Sequence, residues 1–274
     1  MNRKVLAAVA LCALALGSGC LGFFQGPQPV DDEQLDAEPP GNYSYEPGYD
    51  ADRAAYIQVT ENARFLAVYE VAPDRSEIRL YRNDGFGGTN AIDVRAVRFR
   101  YPNGTVISGS EFSEHNGSVE RTRDEVIVAP PTDVEGGNGT VAFTSSSTPK
   151  RFSLPAYDWV AGSSYEVVLP PERSVDLPVF GNVRPGGYET AETDGRVHVV
   201  WSDLTARSLS VQYYQQRDVY IFAGIALALG LVGVVGLFYY RRQIEELRER
   251  REEMGVPVDT DDDEFGDDPP PGMG

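Results

Sequence analysis

From residue 54 onward, apolar positions recur every second residue in short runs separated by polar breaks. Residues 56–59, 65–69 and 78–81 have this form, and a period of two is the mark of a strand with one buried face. Ile92, Val94 and Ala96 alternate, and then Val97, Phe99 and Tyr101 alternate one place out of phase. A slip of one residue predicts a β-bulge. Further strands are predicted at 105–107, 125–129, 139–144, 164–169, 196–201 and 209–214. Strands this short and frequent, divided by turn residues, predict a mostly β fold built as a sandwich. No helix is predicted between 51 and 210, and no internal repeat. The body, 51–216, makes one large sandwich or two small ones, with 145–155 as the seam, where Ser and Pro surround Lys150 and Arg151.

Two apolar segments break this pattern. Residues 5–16 follow Arg3 and Lys4 and end in Gly17-Ser18-Gly19-Cys20. Twelve helical residues span about 18 Å, short of a hydrocarbon core of about 30 Å, so 1–19 is a signal peptide and not a span. Cys20 after small residues resembles a lipobox, whose thiol is acylated and becomes the new N-terminus. Gly17 stands where an aliphatic residue is usual, so an ordinary signal peptidase cutting at the same bond is the alternative.

Residues 219–240 are 22 in number and carry no charge, enough to cross a bilayer with some tilt. Tyr220 and Phe222 stand near one end, and Phe238, Tyr239 and Tyr240 near the other, as interfacial aromatics do. Arg241 and Arg242 follow, then Arg248, Arg250 and Arg251. The positive-inside bias puts that end in the cytoplasm and residues 20–218 outside, which makes a single-pass protein of the cell membrane. Only residues 215–218 separate the last strand from the span, about 14 Å if extended, so the body sits close against the bilayer.

The remaining segments read by composition. Residues 20–50 are rich in Pro, Gly and Asp and read as a flexible linker with a reach of about 30 Å. Residues 241–255 continue the membrane helix with Glu/Arg pairs, and 256–274 form a disordered acidic tail. Asp259, Asp261 and Asp263 open like a calcium loop, but Glu264 replaces its glycine and no closing Glu follows.

Charge then changes the picture. The 274 residues hold 42 Asp and Glu against 24 Lys and Arg, a net charge of -18, and the only lysines are Lys4 and Lys150. The first twenty residues contribute +2, residues 21–218 contribute -13, and residues 241–274 contribute -7. The exterior itself is acidic, and its self-repulsion is screened in concentrated salt, where the Debye length is about 3 Å at 1 M. An acid-rich, lysine-poor surface suits a salty environment. It also disfavours binding to nucleic acid. Cys12 and Cys20 are the only cysteines, so no disulfide framework exists.

Candidate chemistry is sparse. Four glycosylation sequons begin at Asn42, Asn103, Asn116 and Asn138, all on the stretch assigned to the outside. In the last three the asparagine precedes glycine, a pair that also favours type I′ hairpin turns. The Gly-rich loop at 84–88 lacks the Gly-Lys-Ser/Thr of a phosphate cradle. His115 and His198 are the only histidines, at no zinc-binding spacing, and no G-x-S-x-G nucleophile elbow occurs. No cofactor, metal or catalytic residue is assigned, and the chain is read as a non-enzyme.

The chain resembles an uncharacterised family of haloarchaeal surface lipoproteins with one C-terminal membrane helix, a domain of unknown function. The resemblance rests on residues 19–22, 101–106, 164–171, 185–190 and 239–274, and it implies a location without a mechanism. The resulting expectation is a β-sandwich binding or envelope-organising module. Its partners would be the lipid bilayer and a neighbouring membrane protein or envelope component. A sensor or assembly subunit coupled to the cytoplasmic helix is the alternative, and an extracellular hydrolase using either histidine is the third reading. Intact-mass measurement of the mature protein should find a chain beginning at an acylated Cys20; an unmodified Cys20, or retention of residues 1–19, would refute the lipobox reading.

Overall fold

The computed structural model describes residues 26–43, 53–132 and 137–255. The segment 1–19 that the sequence reads as a signal peptide, Cys20 and the tail 256–274 lie outside the described residues. The alternating runs become strands, in chain order β1 (Gln28–Pro29), β2 (Ala55–Val59), β3 (Arg64–Val71), β4 (Ile78–Asn83), β5 (Thr89–Ala91), β6 (Arg95–Arg100), β7 (Val106–Ser108), β8 (Ser118–Arg121) and β9 (Val126–Ala129). They continue as β10 (Gly139–Ser146), β11 (Arg151–Pro155), β12 (Tyr165–Val168), β13 (Arg173–Ser174), β14 (Asn182–Arg184), β15 (Glu189–Thr193), β16 (Arg196–Trp201), β17 (Ser208–Gln212) and β18 (Tyr214–Gln215).

One eight-stranded sheet carries the body, in the order β15-β16-β12-β2-β3-β10-β6-β7. Its pairings are antiparallel except at the centre, where β12 lies parallel to β2. Ile57, Phe65, Tyr69, Phe143, Val167 and Trp201 project from one face. Against them pack a five-stranded sheet, β1-β8-β9-β4-β5, and a three-stranded sheet, β11-β17-β14. Ile78, Leu80 and Val128 fill from the first, and Phe152, Leu154 and Val211 from the second, into one continuous core.

The phase slip in the sequence is a bulge in the structure. On β10, Ala142 pairs with Arg98 but Thr144 pairs with Arg95, so three steps of β6 face two of β10. The extra residue is absorbed at Ala96, whose φ is +52°, and Ala96 and Val97 are both buried as a result. Residues 92–94, which alternate in sequence, form the connection between β5 and β6 and not part of a strand.

Aromatic rings tie the layers together across residues 145–155. Phe65 meets Phe143 at 6.2 Å and Phe152 at 5.2 Å, both edge-on. These partners stand on β10 and β11, on either side of the sequence break, and share one core. The break itself is a tight turn, in which Ser147 N–H donates to the Ala63 carbonyl and Lys150 takes a φ of +61°.

Composition misjudged the segment before the body. Residues 26–43 dock on it and do not form a free tether: Gln28 and Pro29 pair with Arg121 and Glu120, and Val30 and Leu35 are buried. A helical turn, Asp32–Leu35, lets Gln34 Nε2 donate to the Val94 carbonyl at 2.6 Å. The Asp36 carboxylate accepts from the Ser110 hydroxyl at 2.6 Å. Burial raises the Asp36 carboxyl, but hydrogen bonds from Ser110 and Ser108 and the charge of Arg98 together hold the group below its ordinary value. Two buried side chains and a set of hydrogen bonds fix the segment, a pattern without periodicity. The interval 51–210 also contains a 3-10 helix, Ser110–His115, which anchors itself through buried Phe112.

The body forms one compact unit through Gln216, and a second unit begins at Arg217. A single helix, Gln216–Glu253, runs unbroken for 38 residues, about 57 Å at 1.5 Å per residue. It is long and apolar enough to cross a membrane, and none of its side chains is buried by protein. Replacing Phe152 with Ala should destabilise the whole body by about 3–5 kcal/mol. The loss should appear as one cooperative thermal transition in calorimetry; two separable transitions would contradict a shared core.

Candidate functional site

β4 is held in place by side chains from the stretch after β11. Tyr157 Oη donates to the Tyr81 carbonyl at 2.9 Å, and Trp159 Nε1 donates to the Arg79 carbonyl at 3.1 Å. The two rings stack at 5.2 Å and are buried. Burial pushes the Tyr157 phenol far above its ordinary value, against the opposing effect of its bond to the Tyr81 carbonyl. It therefore remains a neutral donor.

This clamp opens a polar cleft of about 590 Å³ between β4 and the 156–159 stretch. Alternation on β4 sends Ile78 and Leu80 into the core and leaves Glu77, Arg79 and Tyr81 along the cleft. Arg79 bridges Glu77 at 2.7 Å and Glu125 at 2.9 Å. Arg75 donates to the Asp158 carbonyl at 3.2 Å. The side chains of Asp158 and Arg207 also line the cleft, and neither makes a hydrogen bond or ion pair among the described residues. The arrangement offers one uncommitted carboxylate and one uncommitted guanidinium beside a fixed aromatic floor. It can receive a polar ligand that carries both signs of charge. It contains no hydroxyl nucleophile paired with a base.

The two histidines lie elsewhere. His198, on β16, is buried, and its Nδ1 lies 2.6 Å from the Glu166 carboxylate on β12. Glu166 has no exposed surface, and its other oxygen lies 3.5 Å from Arg53 Nε, an ion pair without a good hydrogen bond. Burial and then the Glu166 charge push the nearby Tyr56 phenol up, while Arg196 opposes them. No serine or threonine hydroxyl bonds to His198 among the described residues. His115 ends the 3-10 helix with its ring 6.0 Å from Tyr101. Among the described residues no group of three or more His, Cys, Asp and Glu is placed to hold a metal ion.

The four sequon asparagines are all exposed. Only Asn103 sits in a strand-to-strand turn, where its Oδ1 accepts from Thr105 N–H at 2.9 Å. Asn116 caps the 3-10 helix at a φ of +56°, and Asn138 precedes β10 with its amide donating to Glu70 at 2.8 Å. The glycines after these two answer to packing and not to a hairpin: a side chain at Gly117 would strike the Ala129 carbonyl, and one at Gly139 the Phe99 ring. Asn42 lies in the docked N-terminal segment. The structure brings three of the four to one end of the body. Asn103 follows Tyr101 and Pro102, the Tyr101 ring meets His115 beside Asn116, and a Cβ placed on Gly137, beside Asn138, would lie 3.9 Å from Pro102. That convergence has no signal in the sequence, and neither has the cleft, whose walls come from segments far apart along the chain.

Comparison with solved structures returns M1 zinc metallopeptidases at low similarity. The Deinococcus radiodurans enzyme shares 11% identity at a TM-score of 0.32, over 58% of this chain and 40% of that one. Legionella pneumophila aminopeptidase A, solved with aspartic acid, shares 13% at a TM-score of 0.32, over 58% of this chain and 21% of its own. The chain thus spans less than half the length of either, a likeness too distant to bear on activity. No curated protein matches the chain. A model of the family of unknown function DUF5803 matches residues 51–259, which hold β2 through β18 and the whole C-terminal helix, and the chain belongs to that family.

Proposed function

We propose that this protein is a non-enzymatic binding module of the cell surface, exported by its signal segment and held to the membrane by its C-terminal helix. The cleft beside β4 is its ligand seat. The observation that carries this reading is the pairing, in one open cleft, of an uncommitted Asp158 and an uncommitted Arg207 over a floor fixed by Trp159. The ligand is a polar, zwitterionic stretch of a neighbouring envelope component. Supporting the outward orientation are the arginines from Arg241 onward and the location of every sequon before residue 219. The acid-rich, lysine-poor composition supports an exterior in concentrated salt, as in the haloarchaeal lipoproteins that the sequence resembles. Cys20 is the lipid attachment point, and the exposed Asn42, Asn103, Asn116 and Asn138 are the glycan acceptors, of which Asn138 has its amide engaged by Glu70.

A second reading has one specific observation behind it. The helix that begins at Gln216 continues without interruption to Glu253, so one unbroken element runs from the residue after the last strand to the inner face. In that case the protein is a sensor or assembly subunit.

Crosslinking in native membranes, followed by mass spectrometry, separates these readings. The double variant Asp158→Arg/Arg207→Glu should lose the envelope neighbour that the wild type captures, with stability unchanged within about 0.5 kcal/mol because both sites are exposed. Deleting residues 243–274 should leave the capture intact. Loss of capture on that deletion would favour the sensor, and capture by the double variant would remove the cleft as the seat. The same peptides report occupancy at Asn103 and Asn116.

A further inference from the structure

The chain leaves the β body at one end. β18 pairs with β13, and the helix able to cross a membrane begins at the next residue, Gln216. Three residues then precede the uncharged stretch that starts at Val219, about 5 Å of helix. The headgroup layer of a bilayer is about 5–8 Å deep on each side. Gln216 therefore lies within interfacial depth of whatever bilayer the helix crosses, and Tyr214 stands two residues before it.

Two rigid apolar tips belong to this end. The Tyr214 ring meets Phe180 at 5.7 Å, and Gln212 Nε2 donates to the Phe180 carbonyl at 3.2 Å. Phe180 closes a tight turn in which its own N–H and that of Gly181 both donate to the Leu177 carbonyl, at 2.9 and 2.7 Å. A side chain at Gly181 would overlap the Val175 carbonyl, so the turn has little freedom. It presents Leu177 and Val179, 41% and 79% exposed.

The second tip is the β4–β5 hairpin. Tyr213 N–H donates to the Lys150 carbonyl, which places the start of β11 at the exit. The stretch from β11 onward runs antiparallel to β4, as the bonds from Tyr157 to Tyr81 and from Trp159 to Arg79 require. The end of β4 and its loop consequently reach the same end as Lys150, and Arg82 confirms the direction by donating to the Ser146 carbonyl at 2.5 Å. At the loop's apex Phe86 is 100% exposed. Asp84 Oδ1 locks the loop by accepting from the N–H groups of Phe86 and Gly88, at 2.9 and 2.6 Å.

Among the described residues of the body, the large apolar side chains left exposed are Phe86, Val106, Leu177 and Val179. Three of the four stand at the exit. Val106 stands at the other end, with Asn103, beyond the length of β10, about 26 Å for eight residues. Lys150, Arg151 and Arg173 surround the exit as well, with Glu172 and Asp176 as the acidic groups beside the Leu177 turn. Scattered apolar side chains on a surface need no explanation, but three of four gathered at one end of a fold do.

We propose that this end is a membrane-contact face. Phe86, Leu177 and Val179 enter the interface of the bilayer that the C-terminal helix crosses, and Lys150, Arg151 and Arg173 face lipid phosphates. The proposal rests on the reading of that helix as a span. It turns a body tethered at one point into a body seated on the lipid surface with fixed polarity, its three clustered sequons pointing away.

Site-directed spin labelling of the full chain in vesicles of phosphatidylcholine and phosphatidylglycerol tests this. In a background with Cys12→Ser and Cys20→Ser, nitroxides are attached at Phe86→Cys, Val179→Cys, Asn103→Cys and Val232→Cys. Labels at 86 and 179 should collide several-fold less with an aqueous nickel chelate, relative to oxygen, than the label at 103. Nickel access at 86 and 179 equal to that at 103, with 232 protected, would overturn the membrane-contact face alone. Nickel access at 232 would overturn the span and the proposal together.

Discussion

The body depends on a clamp of aromatic rings centred on Tyr69. This side chain stacks on Phe143 at 5.9 Å and meets Trp159 edge-on at 5.2 Å and Tyr157 at 5.8 Å. Tyr69 and Phe143 belong to the large sheet, while Tyr157 and Trp159 reach out to hydrogen-bond β4 of the small one. One cluster therefore sets both the spacing between layers and the position of the cleft wall. Edge-to-face pairs of this kind add about 0.5–1.5 kcal/mol each beyond the area they bury. The Tyr69 hydroxyl finds no partner among the described residues, so it sits in the core as a polar atom held there by its ring. Burial pushes that phenol well above its ordinary range.

What the sequence made legible follows from which interactions are periodic. β2, β12 and β16 announce themselves by apolar residues on the buried face, β3 by the continuous apolar run 65–69, and the Ala96 bulge by a change of phase in the alternation. The strand β15 does not. Its residues Glu189–Thr193 are largely exposed, and it exists because the edge of β16 offers five residues to pair with. The docking of residues 26–43 escaped for a related reason: a two-residue strand pairing and the isolated buried Val30 and Leu35 are joined by single hydrogen bonds, such as Gln34 to Val94 and the Tyr43 hydroxyl to the Ala96 carbonyl. Periodicity registers burial. It is silent about pairing along an edge and about isolated polar bonds.

The candidate site was less legible than the fold. Arg75, Arg79, Asp158 and Arg207 look like ordinary surface charges in the sequence, because nothing local links residue 79 to residue 158. Asn-Gly pairs looked like hairpin turns, yet Gly117 and Gly139 are glycines because a backbone carbonyl and the Phe99 ring occupy the space of a side chain. His198 read as a strand residue, which it is; its partner Glu166 stands on the adjacent strand, at a position where burial of a carboxylate has no sequence signature.

The parallel seating of β12 against β2 carries a consequence for how the chain reaches this structure. β2 and β3 form early in synthesis, but the open edge of β2 waits for residues 165–168 to arrive. β12 in turn needs β16 on its other side. Pairings this distant in sequence slow folding, because loop closure must precede the contacts that reward it. The large sheet can close only after Trp201 has emerged, fifteen residues before the helix begins at Gln216. Until then the edge of β2 stays available to foreign strands. Protection of that edge until the later strands arrive is therefore a demand that the topology places on the cell.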